Sequence, residues 1–293
     1  MFRTPRPTKI VRIVDEAERV KTFYLQDAKV ARSSKAGQFV LVWVPFPANK
    51  LSNTKIDLDP HDFELLDQIP MSISCADPAN ETFGITVKET GETTSELHKY
   101  PVGQNLGIIG PLGHPFSYKA DTCILVGGGI GVAPLRFLAS ELAARRRKLI
   151  GIMGFRTKGE MLFVKEMKKM FDELIVTTDD GSYGKKGSAT SCFGKYLGEH
   201  RDQGLGRDPG IMVYSCGPEL MIKGVLNLCE QFKLRAEVSL ERYIHCGIGI
   251  CGFCSINGYR VCKDGPVFPS AKLGNIKDLG LFRRTSSGKK ESI

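Results

Sequence analysis

The sequence predicts an all-β domain, then a doubly wound parallel α/β domain, then a short cysteine-rich segment. Three observations carry this. Short β-rich runs separated by turn residues fill the first 118 positions. Apolar strands alternate with helical patterns from Asp121 to about Glu237, and four of the nine cysteines then fall within seventeen residues. At 293 residues the chain exceeds one typical domain, and 42% hydrophobic content is enough to build two cores. The expected division is 1–118, 119–238 and 239–270, with a basic tail over 271–293.

In the first section the runs KIVRIVDEA, VKTFYLQD, GQFVLVWVP, PMSISCA and TFGITVKE are spaced as in a barrel or sandwich. In the second, the strands CILVGGG, LIGIMGF, ELIVTTDD and GIMVYSCG alternate with the helical patterns APLRFLASELAARRR, EMLFVKEMKKMF and PELMIKGVLNLCEQF, the rhythm of a parallel sheet.

The charge of +9 comes from 41 basic and 32 acidic residues, much of it local to RRRK at 145–148 and to FRRTSSGKKESI from 282. The first run ends an amphipathic helix, where cations suit the negative dipole end. The second reads as a frayed, solvated terminus. No nucleic-acid signature accompanies either, so no nucleic-acid partner is expected. The longest apolar stretch, 123–142, is glycine-rich and interrupted by Arg136, which makes a poor membrane span. No secretory signal is legible in MFRTPRPTKIVRIVDEAERV, and an odd cysteine count argues for a reducing compartment, so the expected location is cytoplasmic.

At the first strand-to-helix junction, Gly127, Gly128, Gly129 and Gly131 remove side chains where a dinucleotide pyrophosphate must approach backbone N–H groups. Pro134 suits the first helical turn. The spacing departs from G-x-G-x-x-G, and a tight turn without a ligand is the competing reading. Arg156 and Lys158 stand where an acidic ribose reader is usual, which leaves NAD and NADP both open. Two further loops fall at strand carboxyl ends: one holds Thr178, Asp180 and Gly181, the other Cys216, Gly217, Pro218, Glu219 and Met221. Cys216 reads either as a buried structural thiol or as a neighbour of a nicotinamide ring. In the β domain, Ser72, Thr93 and Thr94 offer hydroxyls and Lys88 a charge to a flavin phosphate, though such residues are ordinary in strands.

Cys246, Cys251, Cys254 and Cys262 read C-x4-C-x2-C-x7-C, and the first three match the spacing of plant-type [2Fe–2S] ligands. Gly247, Gly249 and Gly252 let such a loop curl so that amide N–H groups point at the sulfurs. Zinc is the alternative, but its usual C-x2-C pairs are absent. A [4Fe–4S] cluster fits the spacing less well.

Together, GGGIGVAPL, TDDGSYGKKG, SCGPELM and CGIGICGFCSINGYRVCKDGPVF resemble the ferredoxin–NADP reductase superfamily, and within it the electron-transfer subunits of class 1B dihydroorotate dehydrogenases. The resemblance covers about 8–270. It implies a β-barrel that binds FAD, an α/β domain that binds NAD(P), and a C-terminal [2Fe–2S] loop. It also implies flavin contacts at Pro70, Met71 and Ser72, at Thr86, Val87 and Lys88, and at Thr93 and Thr94. The family's arginine two residues before Met71 is Ile69 here, and the second glycine of its G-x-G-T loop is Thr93.

The implied partner is an FMN-containing dihydroorotate dehydrogenase catalytic subunit, in a heterotetramer, and the implied flow runs from that FMN through the cluster and FAD to NAD+. No residue of this chain reads as a catalytic acid or base. Two alternatives stay open: the flavin and iron–sulfur subunit of an NAD(P)H–ferredoxin oxidoreductase or cytoplasmic hydrogenase, and a zinc-stabilised nucleotide-binding sensor.

Overall fold

The computed structural model describes residues 4–44, 68–201, 208–274, 277–285 and 287–292. Strands β1 (Arg6–Ala17), β2 (Val20–Gln26), β3 (Phe39–Trp43), β4 (Ile69–Asp77), β5 (Thr82–Lys88) and β6 (Asn105–Leu112) close into a barrel of order β1-β2-β5-β4-β3-β6. Every pairing is antiparallel, and because β1 pairs with both β2 and β6 the barrel has no open edge. Ile10, Phe23, Leu25, Val40, Val42, Ile73, Phe83, Ile85 and Leu106 fill its core. Helix α1 (Ala28–Ser33) follows β2 and α2 (Glu92–Leu97) follows β5. The closing strand β6, NLGIIGPL, was not among the expected strands, since two glycines and a proline mask its apolar residues.

The second sheet contains β7 (Thr122–Gly128), β8 (Lys148–Phe155), β9 (Glu173–Thr178), β10 (Lys185–Lys186), β11 (Ile211–Cys216) and β12 (Ala236–Ser239), all parallel. The cysteine segment follows β12 and carries the hairpin β13 (Ser255–Ile256) and β14 (Tyr259–Arg260). It then returns to the sheet as β15 (Val267–Pro269), antiparallel to β12. The order is β10-β9-β8-β7-β11-β12-β15. The chain therefore leaves β7 in one direction and resumes on its other side at β11, so the topological switch point lies between those two strands.

Alternation along the buried strands separates the two faces. Cys123, Leu125 and Leu149 join Leu135 and Leu138 of α3 (Val132–Ala144), whereas Ile124, Val126 and Ile152 join Phe193 of α5 (Ala189–Glu199) and Val225 of α6 (Glu219–Gln231). Arg145 caps α3, as expected of cations at a helix end, and Arg147 pairs with Asp121. The helix expected over 160–171 shrinks to α4 (Val164–Met167), because Phe163 adopts a left-handed φ of 57° and places its ring under the Arg136 guanidinium, 4.6 Å away. Helix α5 was not anticipated. Ser188 caps it, and its buried Ala189, Cys192, Phe193, Tyr196 and Leu197 form a helical stripe across low-propensity residues.

After α7 (Val261–Asp264), β15 and α8 (Ser270–Leu273), the C-terminal region departs from the frayed terminus expected of it. Leu279 is buried, and β16 (Phe282–Arg284) pairs with β17 (Lys290–Ser292). Among the described residues, no helix is long and apolar enough to cross a membrane.

The tightest packing lies at the switch point. A Cβ on Gly131 would fall 2.5 Å from the Cys216 carbonyl oxygen and from the backbone of Gly217. Neither neighbour is a side chain that can rotate away. Gly131→Ala is therefore expected to destabilise the fold by about 1–3 kcal/mol, the range for overpacking a tight site. Chemical denaturation checks this, and an unchanged midpoint would contradict it.

Candidate functional site

The carboxyl ends of β7, β8, β9 and β11 point the same way, and register sets Gly127 beside Cys216 and Gly128 beside Gly154. A short turn, Gly129–Gly131, leads into α3, with Pro134 in the first helical turn. Nothing lies within 4 Å of where a Gly129 Cβ would be, so the entrance to α3 is open beside its free N–H groups. Those donors and that space fit a dinucleotide phosphate.

Around this end, Arg156 and Lys158 are exposed after β8. Asp180 accepts from the Ser182 N–H (2.9 Å) and hydroxyl (2.7 Å), bonds that hold its carboxyl below the usual range. Gly217 follows β11. Cys216 is 1% exposed, and burial, helped by the nearby Glu241 charge, pushes its thiol well above the ordinary value. Of its two readings, the structure gives a buried, protonated thiol directly behind the open loop.

Pro70, Met71 and Ser72 lie on β4, opposite Leu41, Val40 and Phe39 of β3. Met71 packs on the core that also contains Val132 of α3, so the flavin stretch abuts the nucleotide helix. Val87 is buried in the barrel, and Lys88 approaches Glu160 at 3.8 Å across the two sheets. The hydroxyls of Thr86, in a stretch the resemblance implies, and of Thr94, an expected hydroxyl, both bond within the protein. Thr86 Oγ1 donates to Ser74 Oγ (2.9 Å) and bonds Thr22 Oγ1 (3.0 Å). Thr94 Oγ1 accepts from the Thr90 and Gly91 N–H groups and donates to the Gly91 carbonyl (2.9 Å), capping α2 because the N-cap Gly91 has no side chain to do so. Ser72 and Thr93, both half-buried, are the hydroxyls left for a flavin.

The cysteine loop has the shape the spacing implies. Gly247, Gly249 and Gly252 hold φ of 65°, 80° and 78°, values that side chains rarely adopt. The resulting curl turns amide N–H groups onto sulfur: Gly249 to Cys262 (3.2 Å), Ile250 to Cys246 (3.3 Å), Cys251 to Cys246 (3.5 Å) and Cys262 to Cys254 (3.5 Å). Burial opposes the Cys246 thiolate, but N–H groups of Cys251, Ile248 and Ile250 outweigh it and hold the pKa at about 6. The Cys262 thiol, donating to Cys254, lowers Cys254 to about 7 and is itself pushed far up.

The thiols thus fall into two pairs, Cys246 with Cys251 and Cys254 with Cys262. Two pairs with N–H donors on their sulfurs fit two irons, each holding two thiolates, better than one tetrahedral zinc.

Three contacts bring these regions together. Gln68, two residues before Pro70, donates to the His245 carbonyl, one residue before Cys246. Gly247 rests on Leu41 and Leu112, and Leu41 pairs with Pro70. Arg242 forms a two-pronged ion pair with Glu219, directly after the Cys216 loop. Gln68 and Arg242 were not anticipated, because nothing local in sequence marks a residue whose partner lies far along the chain. On the outer side Cys251 is exposed, flanked by Ile248 and by Ile250, which is 74% exposed.

Comparison with known proteins agrees with this geometry. The family described as the iron–sulfur cluster binding domain of dihydroorotate dehydrogenase B matches residues 241–274, and that of the oxidoreductase NAD-binding domain matches 125–227. A Methanothermobacter thermautotrophicus protein named as a probable dihydroorotate dehydrogenase B (NAD(+)) electron transfer subunit is 37% identical over 99% of this chain and 98% of its own. A solved structure of an NADH-dependent reduced ferredoxin–NADP oxidoreductase, described with flavin-based electron bifurcation, superposes with a TM-score of 0.72 at 28% identity, covering 91% of this chain and 89% of that one. The FAD/NAD binding domain of nitric oxide dioxygenase from Vibrio cholerae shares the fold, with a TM-score of 0.59 at 16% identity over 80% of this chain and 99% of that one.

The lowered Cys246 pKa has a direct readout. Only the thiolate alkylates, so in the reduced, metal-free chain Cys246 should react with iodoacetamide through neutral pH and lose reactivity as the pH falls through about 6. Peptide-resolved mass spectrometry checks this, and a midpoint near the ordinary thiol value of about 8.5 would contradict it.

Proposed function

This chain belongs to the family of dihydroorotate dehydrogenase B electron transfer subunits, and from that membership we propose that it carries electrons from dihydroorotate oxidation to NAD+ in pyrimidine biosynthesis. Its partner is a catalytic subunit that holds FMN, and the two form a heterotetramer in the cytoplasm. The nine unpaired thiols support a reducing compartment. The chain divides at 1–118 for FAD, 119–238 for the dinucleotide and 239–270 for the cluster.

A flavin exchanges the electron pair of a nicotinamide hydride with the single electrons of an iron–sulfur cluster, which is the chemistry FAD supplies here. The protein's contribution is placement. Pro70, Met71, Ser72, Val87, Lys88 and Thr93, with the backbone at Thr86 and Thr94, would hold FAD between barrel and α3. Gly127, Gly128, Gly129, Gly131 and Gly217, with Asp180 and the buried Cys216 behind them, would hold the dinucleotide. Cys246, Cys251, Cys254 and Cys262 would hold [2Fe–2S]. With Ile69 in place of the family's arginine, Lys88 is the candidate cation for the flavin pyrophosphate, its Glu160 pairing being loose at 3.8 Å. No acid or base is required, because hydride transfer depends on ring alignment.

The observation that carries this reading is the seat of the cysteine loop. Gly247 lies on the strand paired with Pro70, and Cys251 faces outward between two exposed isoleucines. One side of the loop thus meets the flavin stretch and the other is free for the partner.

A second reading, service to a ferredoxin or hydrogenase partner, draws on the 28% identical ferredoxin–NADP oxidoreductase. The two are separated by an anaerobic assay of this chain with an FMN-containing dihydroorotate dehydrogenase catalytic subunit. Dihydroorotate-dependent NAD+ reduction is expected only when both chains are present. Absence of turnover from a chain whose flavin is still reduced by NADH would move the assignment to the second reading. In the same assay Cys251→Ser should abolish transfer between partner and flavin while direct flavin reduction by NADH survives. Loss of both would contradict the order of carriers.

A further inference from the structure

The C-terminal region is fastened to the cysteine segment at several points that the proposed function leaves unexplained. Leu279 is buried in the apolar cluster that contains Cys254, Ile256, Val261 and Cys262. The Asp278 N–H donates to Asn257 Oδ1 (2.9 Å) at the β13–β14 turn, and Lys290 pairs with Asp278 at 2.8 Å. Gly288 sits on the ring of Phe253, the residue before Cys254, so close that a Cβ would be 3.3 Å away. The Gly280 N–H donates to Glu219 Oε1 (2.7 Å).

That last contact ends on a carboxylate with two other duties. Glu219 opens α6 directly after the Cys216 loop, and its oxygens also accept from Arg242, whose side chain is only 4% exposed and which stands four residues before Cys246. One largely buried carboxylate, its side chain 13% exposed, therefore joins the loop after β11, the lead-in to the cysteine loop and the C-terminal region. Removing one member of a buried ion pair leaves the other charged and unpaired, so the junction opens at high cost and is not interchangeable with a surface pair.

We propose that Glu219 is a positioning residue and that the C-terminal hairpin, with Asp278–Gly280, is a clasp. Together they press the cysteine segment shut on the side of Cys254 and Cys262, shielding an iron–sulfur cluster from water and oxygen and leaving Cys251 as its open face. This rests on the reading that the four cysteines hold that cluster.

The test uses the full chain purified anaerobically, unaltered and as Leu279→Asp, Leu279→Ala, Glu219→Gln and Arg32→Ala. Iron and sulfide per chain are measured first, and the loss of the cluster's visible absorbance is then followed in air-saturated buffer. Glu219→Gln and either Leu279 variant that folds should bleach at least about tenfold faster, equivalent to about 1.4 kcal/mol of closure. The Arg32→Ala control removes a surface pair with Glu81 on the barrel, away from the clasp, and should stay within about twofold of the unaltered chain. Glu219→Gln should also shift the electron paramagnetic resonance spectrum of the reduced cluster, which loss of overall stability alone would not do. Variants that carry iron and bleach at the unaltered rate would overturn the clasp alone. An unaltered chain without iron or sulfide would overturn both the clasp and the proposed function.

Discussion

Two stretches of main chain can touch only where neither carries a side chain, and the approach of Gly131 to Cys216 and Gly217 is the contact from which the rest of this architecture follows. β7 and β11 are parallel neighbours at the switch point, so the turns leaving them must share one small volume. Gly131 lets the turn into α3 pass over the β11 turn, and a Cβ on Gly217 would in its turn meet the Gly128 backbone at 3.0 Å. With that crossing made, the amino ends of α3 and α6 lie side by side. α3 packs on the barrel near the flavin stretch, while α6 presents Glu219 to Arg242 and so reaches the cysteine loop.

The cysteines show how environment divides one side chain into opposite roles. Cys216 and Cys229 are buried without cationic help, and burial pushes both thiols up, Cys229 to about 12. Amide donors turned toward sulfur by the loop glycines bring the Cys246 thiol down to about 6, and the Cys262 thiol, donating to Cys254, brings that one down to about 7. Metal ligands must be deprotonated, so amide donors at Cys246 and a neighbouring thiol at Cys254 favour the form a metal ligand needs near neutral pH. The same loop contributes Cys254 and Cys262 to an apolar cluster shared with Phe39 and Leu41 of the barrel, which couples the cluster site mechanically to the strand beside the flavin stretch.

Much of this was legible in sequence because it depends on local pattern. The glycine-rich junction, the strand-ending loops and the cysteine spacing each announce a backbone requirement within a few residues. The misreadings share one cause. β6 is a strand because β1 and β3 leave it the closing position, although its glycines blur the alternation. The segment 160–171 fails as a long helix because Phe163 turns left-handed to meet Arg136, a residue from another element. Side-chain bonding is likewise tertiary: the hydroxyls of Thr86 and Thr94 satisfy neighbouring polar groups, as buried hydroxyls generally must.

The sequence by itself determined the order of the parts and the chemistry each can perform: an all-β unit, a parallel α/β unit with a phosphate-sized opening, and four thiols spaced for two irons. These follow from periodicity, glycine and cysteine spacing, which are local properties of the chain. Only the tertiary structure decided that the cysteine segment is a detour between β12 and β15, that its inner face rests on β3, and that a basic terminus folds back onto it. Those outcomes depend on pairings such as Gln68 with His245, Arg242 with Glu219, and Leu279 with the core behind Cys254. Such residues meet only through tertiary packing, and no pattern within either segment specifies the other.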